Sequence, residues 1–148
     1  MDHAGKAREL FREGYNCSQA VLCAFEDLTG LDRDSAARIA SSFGGGMGRM
    51  REVCGSVTGA FMVLGMVCGY ADPKDRDAKK DHYHLIQRYA DRFREENGSI
   101  ICRELLFGVE TIPGKDPEER SSDYYRKRPC PDLVWFSAKL LEDIIEEE

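Results

Sequence analysis

The sequence predicts an all-α fold, a single-domain bundle of about six to seven helices around a buried central helix. Apolar residues recur at three- and four-residue spacing along most of the chain, as on one face of a helix. Typical helix starts and stops separate these segments. No segment shows the alternation of apolar and polar residues that marks a half-buried strand. We therefore expect one helical domain over residues 1–148, which is long enough to bury a core.

Seven segments carry the helical pattern. Asn16 and the Asp72-Pro73 pair are residue types that favour a helix start, and Gly30 is typical of a helix end. A cluster of glycines at 44–48 ends the third segment, because each glycine costs a helix about 1 kcal/mol relative to alanine. The expected helices cover about residues 2–13, 16–29, 32–43, 53–69, 73–96, 100–107 and 130–145.

The segment at about residues 53–69 is apolar on all sides and carries no charge from Val53 to Ala71. Such a helix is either buried in a core or inserted in a membrane. Glycines at positions 55, 59 and 65 dilute its hydrophobicity, and the other helices present apolar faces that need a partner. We therefore predict a buried central helix and no stable membrane insertion.

The charge balance limits the partners of the protein. The chain has 21 basic and 27 acidic residues, so no basic surplus is available to neutralise phosphates, and we expect no nucleic-acid binding. The first residues, MDHAGKAREL, lack the apolar core of a secretory signal, which predicts a cytoplasmic protein. A homodimer and a self-contained bundle are both compatible with the amphipathic helices.

The chain has six cysteines and no CxxC pair. In a reducing compartment, cysteines at this density are more often metal ligands or redox groups than disulfides. Four of them fall at expected helix starts, where unpaired backbone N–H groups and the helix dipole favour a thiolate. We predict that these four form one metal site: Cys17, Cys54, Cys102 and Cys130.

The other two cysteines do not fit this site. Cys54 and Cys68 are fourteen residues apart on one predicted helix, which separates them by about 21 Å. Cys17 and Cys23 are six residues apart and lie on different faces of their helix. We therefore assign Cys23 and Cys68 to packing.

The glycine-rich loop FGGGMGR at residues 43–49 precedes Cys54. Glycine has no side chain, so its backbone N–H group can approach sulphur closely. Gly45 and Gly46 are therefore candidate cofactor-binding residues. Arg49 or Arg51 could offset the negative charge of a thiolate centre. The loop fits neither GxGxxG nor GxxxxGK[ST], so we expect no nucleotide cofactor.

Several motifs resemble the C_GCAxxG_C_C family of redox-active proteins, which is named for its cysteine pattern. The matching segments are residues 15–21 (YNCSQAV), 43–49 (FGGGMGR), 53–60 (VCGSVTGA), 102–106 (CRELL) and Cys130. Ser56 stands where the family pattern usually has alanine. The family's four recurring cysteines correspond to Cys17, Cys54, Cys102 and Cys130.

The resemblance also implies a cofactor. A similar domain is joined to c-type haem modules in split-Soret cytochromes, where it resembles an iron–sulphur carrier. The implied function is electron transfer through an iron–sulphur centre, of which [2Fe–2S] is one candidate form, with a redox partner protein that the sequence does not identify.

Three chemistries use the same four cysteines and remain open from the sequence. The first is the four-thiolate iron–sulphur centre. The second is thiol–disulfide chemistry, in which Cys54 attacks and another of the four resolves the mixed disulfide. The third is a structural zinc site in a non-catalytic module.

Overall fold

The computed structural model describes residues 2–109, 114–121, 124 and 128–148. These residues form eight regular α-helices, a 3₁₀ turn at Ser41–Phe43 and no β-strand, which confirms the all-α prediction. None of the helices among them is both long and apolar enough to cross a bilayer. The helices are α1 (His3–Arg12), α2 (Cys17–Ala24), α3 (Glu26–Thr29), α4 (Arg33–Ala40), α5 (Gly55–Cys68), α6 (Arg76–Asn97), α7 (Cys102–Leu105) and α8 (Cys130–Glu147).

Each of the seven predicted segments contains a helix, but three boundaries differ. The second segment is divided at Phe25, whose backbone leaves the helical region (φ −108°, ψ 25°) while its side chain is fully buried against the ring of His3. The helix expected from Asp72-Pro73 begins at Arg76, because the Asp75 side chain caps it by accepting from Ala78 N–H. The helix expected over 100–107 is only one turn long.

Helix α5 packs against α2, α6 and α8. Two of its glycines allow α2 to come close, because a Cβ at Gly59 would lie 2.7 Å from the carbonyl oxygen of Ser18. A Cβ at Gly55 would likewise lie 3.0 Å from the backbone nitrogen of Ser18. The crossing of α2 and α5 thus brings their N-terminal ends together.

The buried central helix that the sequence predicts is exposed at its C-terminal end. Met66 is 53% exposed and Val67 is 37% exposed, whereas Val57, Val63 and Leu64 are fully buried. Gly65, Met66 and Val67 are consecutive exposed residues at this end of the helix. The apolar sequence therefore predicted the burial of most of α5 but not the exposure of its C-terminal end.

Candidate functional site

Four cysteines line one cavity of about 50 Å³ at the N-terminal end of α5. They come from parts of the chain that are far apart in sequence: Cys17, Cys54, Cys102 and Cys130. The predicted position of each at a helix start is confirmed. Three of them are the first residues of α2, α7 and α8, and Cys54 is the N-cap of α5. The structure thus places the four predicted ligands around one small space.

Local sequence features fix two of these helix starts. Before Cys17, the Asn16 side chain accepts from Gln19 N–H, and the Gln19 side chain accepts from Asn16 N–H, forming a capping box. Before Cys130, no side chain caps α8, but Pro131 occupies its second position, where a missing N–H costs nothing. Each cysteine is therefore fixed by backbone geometry that its neighbours enforce.

A short antiparallel bridge between Val53 and Ile101 joins the other two cysteines. Cys54 N–H donates to the carbonyl of Ile100 at 2.8 Å, and Cys102 N–H donates to the carbonyl of Glu52 at 2.6 Å. These bonds hold the starts of α5 and α7 side by side. The pairing involves so few residues that the sequence carries no strand pattern to reveal it.

The glycine-rich loop closes one side of the cavity, which Gly45 and Gly46 both line. A Cβ at Gly46 would lie 2.6 Å from the Cβ of Cys102 and 2.7 Å from the Cα of Arg51. Its φ of +70° is also one that side-chain-bearing residues rarely adopt. Only glycine allows the loop to approach Cys102 so closely.

Of the two arginines predicted to face the cysteines, the structure places one there. Arg51 lines the cavity, and its Nη1 donates to the sulphur of Cys102 at 3.7 Å. Arg49 does not line it. Instead, Arg49 donates to the carbonyl of Gly114 at 3.0 Å and to the carboxylate of Glu118 at 2.9 Å. Arg49 is therefore tied to the loop beyond α7 and not to the cysteines.

Two further arginines lie at the cavity, and the sequence did not indicate either of them as a site residue. Arg120 donates to the backbone carbonyls of Phe11 and Tyr15, and its guanidinium lies 4.2 Å from the centre of the Phe11 ring. Arg128 is 7% exposed and stacks over Tyr124 at 4.6 Å. The sequence places both in a long polar segment without periodicity, so nothing indicated which way they point.

The pKa of three of the four thiols is raised, against the sequence expectation. Desolvation raises the pKa of Cys54 to about 12, although Ser56 partly offsets it by hydrogen bonding. Desolvation also raises the pKa of Cys102, against the opposing effect of Arg51. The pKa of Cys17 is raised chiefly because it donates a hydrogen bond to Cys130. Burial and the interaction between Cys17 and Cys130 therefore favour the protonated form of these three thiols.

Cys130 is the exception. Its pKa is lowered to about 7, first because the Cys17 thiol donates to its sulphur and then because Arg128, Arg51 and Arg120 lie nearby. These effects exceed the desolvation that opposes them. The site therefore contains one thiol that ionises near neutral pH beside one that keeps its proton.

The two remaining cysteines lie outside this cavity. Cys23 is fully buried in the core, and its thiol points to the carbonyl of Arg33 at 4.0 Å. Cys68 is partly buried at the far end of α5. Both positions fit the packing role that their spacing suggested.

The four cysteines can be compared with the ligand sets that known metal centres use. All four side chains are free thiols, the ligand type that zinc and iron–sulphur clusters use. Within the part of the chain that the structure describes, no three or more His, Cys, Asp or Glu residues are arranged to hold a single metal ion. The four thiols thus have the right chemistry for a metal centre and line one cavity, but the described side chains do not form a ready site for a single ion.

Comparison with known families identifies the chain. The family model described as "Putative redox-active protein (C_GCAxxG_C_C)" matches residues 15–144, a range that includes all four cysteines of the cavity. Neither a curated protein nor a solved structure matches the chain. Because the match covers well over half of its length, the chain belongs to the C_GCAxxG_C_C family of redox-active proteins.

Proposed function

We propose that this protein transfers electrons through an iron–sulphur centre held by four thiolates. The ligands are Cys17, Cys54, Cys102 and Cys130. The observation that carries the proposal is that these cysteines, from four distant parts of the chain, line one small cavity. Thiolates are the ligands that hold such clusters, and a cluster supplies one-electron chemistry when bound.

The charges around the cavity support a cluster. Four thiolates outweigh the positive charge of a [2Fe–2S] core, so the loaded site is anionic. Three arginines line the same cavity, at positions 51, 120 and 128, and can stabilise that charge where water is excluded. A nearby positive charge favours the thiolate form of a ligand over its protonated form. The arginines thereby offset the burial that raises the pKa of the free thiols.

A single zinc ion is the alternative centre for the same four cysteines. A structural zinc ion draws four ligands to about 2.3 Å from one centre. A cluster of two or more iron atoms distributes its ligands over a larger space. The separation of the four sulphurs in the loaded protein therefore distinguishes the two centres.

Anaerobic purification followed by metal and acid-labile sulphide analysis tests this proposal. We expect a brown protein that contains iron and acid-labile sulphide in similar amounts, with charge-transfer absorption in the visible range. A colourless anaerobic preparation without iron would contradict the proposal. If that preparation contained one zinc per chain, a structural zinc site would replace it.

A second function is favoured by the pair Cys17 and Cys130, since the interaction between their side chains is the chief cause of the raised pKa of Cys17 and of the lowered pKa of Cys130. Both thiols line the same small cavity, so they are the candidate pair for a disulfide. In an exchange with a partner disulfide, the Cys130 thiolate attacks one partner sulphur and releases the other as a thiolate. The Cys17 thiol then loses its proton and attacks the mixed disulfide, so that this chain is oxidised and the partner reduced. Buried Cys54 is a poorer attacking group than the sequence suggested, because its thiol keeps its proton.

Disulfide mapping separates the two functions. The iron-free protein is oxidised with oxidised glutathione, digested and examined by mass spectrometry. The thiol–disulfide function predicts a peptide pair linked through Cys17 and Cys130, and a reversible two-electron redox titration. Linkage through Cys54, or four thiols that remain reduced, would contradict it.

A further inference from the structure

A second cleft, of about 310 Å³, adjoins the cysteine cavity. The two spaces share several lining residues, among them Gly45, Arg51, Arg120 and Arg128. The cleft therefore lies directly beside the cysteines, with arginine side chains between. We call it the arginine cleft and define it by its charged lining residues: Arg49, Arg51, Lys115, Glu118, Arg120 and Arg128.

The charge of the arginine cleft is opposite to that of the chain. Its described lining residues include five cations and one carboxylate, while the whole chain has a net charge of −6. Arg49 and Arg128 both contact the same carboxylate oxygen of Glu118. Side chains of one sign along a low-dielectric wall focus a positive potential into the cleft. The cleft is thus built to attract an anion.

Burial makes this concentration of charge significant. The Arg49 side chain is 10% exposed, that of Arg128 is 4% exposed and that of Glu118 is 10% exposed. Charges that are withdrawn from water interact more strongly than charges on an open surface. An anion that entered the cleft would therefore be held more strongly than by a solvated patch of lysines.

The arginines are also held in place by the backbone. Arg120 donates to the carbonyls of Phe11 and Tyr15, and Arg49 donates to the carbonyl of Gly114. Groups that are already fixed lose little conformational entropy when a ligand binds. The cleft is therefore organised before any ligand enters it.

The loop that carries two of these arginines adopts an uncommon backbone conformation. Arg49 has a φ of 64° and Arg51 a φ of 61°, in the left-handed region that favours glycine. Residues with side chains remain there only where surrounding structure imposes it, and they concentrate at functional sites. The strained conformation places both arginines on the wall of the cleft.

We propose that the arginine cleft binds a small oxyanion, a carboxylate or a phosphate, beside the cysteine cavity. The planar fork of a guanidinium matches the two oxygens of either group. A volume of about 310 Å³ lies within the range of small-molecule sites. The proposal does not depend on a metal, since the cleft charges belong to the chain itself.

Calorimetric titration of the anaerobically purified full chain tests this site. Inorganic phosphate and succinate are titrated separately at constant ionic strength in chloride buffer. We expect at least one of them to bind saturably at one per chain, and the two titrations show which oxyanion is preferred. If neither anion saturates the site below about 10 mM, that result would contradict the proposal.

A matched pair of lysine variants controls for overall charge. Lys115→Ala removes an exposed cation that lines the cleft and not the cysteine cavity. Lys80→Ala removes an exposed cation on α6, outside the cleft. We expect Lys115→Ala to weaken binding by about threefold or more and Lys80→Ala to leave it unchanged. Equal effects of both would show non-specific attraction only.

Iron and sulphide are measured on the same samples. Anion binding by a preparation without a cluster would leave this site in place and overturn the proposed electron-transfer function. A cluster without anion binding would support the electron-transfer function and overturn the proposed anion site. The arginines would then serve only to balance the charge of the thiolates.

Discussion

The sulphur of Cys54 lies 3.0 Å from the hydroxyl oxygen of Ser56, and both residues are buried. The backbone carbonyl of Ser56 accepts a hydrogen bond from Ser137 Oγ at 2.6 Å. Because Ser137 donates there, the hydroxyl of fully buried Tyr89 must donate to Ser137 Oγ, at 2.5 Å. A chain of buried polar groups therefore runs from the cysteine cavity into the interface of α5, α6 and α8.

Ser56→Ala should lower the reduction potential of the centre. A hydrogen bond to a ligand sulphur stabilises the more negative, reduced state, so its loss favours the oxidised state. A potentiometric titration of the loaded protein measures the shift. Ser18→Ala is the control, because Ser18 is buried but its hydroxyl has no hydrogen-bond partner among the described residues. Equal potentials for wild type and Ser56→Ala would show that the contact does not influence the centre.

Two glycine-to-alanine changes in α5 should change the free energy of unfolding in opposite directions. A Cβ at Gly59 would lie 2.7 Å from a backbone oxygen of α2, so Gly59→Ala must push the two helices apart. We expect it to lower the free energy of unfolding by about 1–3 kcal/mol. Gly65 is exposed with nothing within 4 Å of a new Cβ, so Gly65→Ala should raise it by about 0.5–1 kcal/mol.

Urea unfolding of both glycine variants provides the measurement. Because both glycines lie in the same helix, a difference in helix propensity alone cannot separate them. Similar stabilities for the two variants would contradict the close crossing of α2 and α5.

In the iron-free protein, the thiols should react with iodoacetamide in a defined order as pH rises. The thiolate is the reacting form. Cys130, whose pKa is lowered to about 7 by its hydrogen bond from Cys17 and by nearby arginines, should become reactive as pH rises through 7. Cys54, whose pKa is raised to about 12 by burial, should stay unreactive in the folded protein until far higher pH.

Mass spectrometry of peptides alkylated at a series of pH values measures this order. Cys17→Ser is an informative variant, because a hydroxyl can still donate to Cys130 and should preserve much of the lowered pKa, whereas Cys17→Ala should raise it. Reaction of Cys54 before Cys130 would show that the surroundings of the two thiols differ from those described.

Much of the helical framework could be predicted from sequence because it depends on local patterns. Asn16 forms the expected cap, and the small residues Gly55 and Gly59 lie where a helix approaches closely. The interruption at Phe25 was not predicted, and the Phe25 ring there stacks on His3, which is distant in sequence. Local signals determine where helices begin, and tertiary contacts determine where they break.

The candidate site shows the same division. The positions of four cysteines at helix starts followed from spacing and capping residues. The bridge between Val53 and Ile101, which holds Cys54 and Cys102 side by side, has no sequence pattern. The contributions of Arg120 and Arg128 depend on the course of a polar segment without periodicity. Candidate ligands at helix starts were therefore predictable, whereas the charges from irregular segments were not.

The sulphide content of two cysteine variants tests the central claim most directly. Cys54→Ser removes a thiol from the cavity, and Cys23→Ser removes a buried thiol outside it. After identical anaerobic purification, we expect Cys54→Ser to lack iron and acid-labile sulphide and Cys23→Ser to retain both at the wild-type level. Retention of a wild-type centre by Cys54→Ser, or its loss in a folded Cys23→Ser protein, would contradict the assignment of the four ligands.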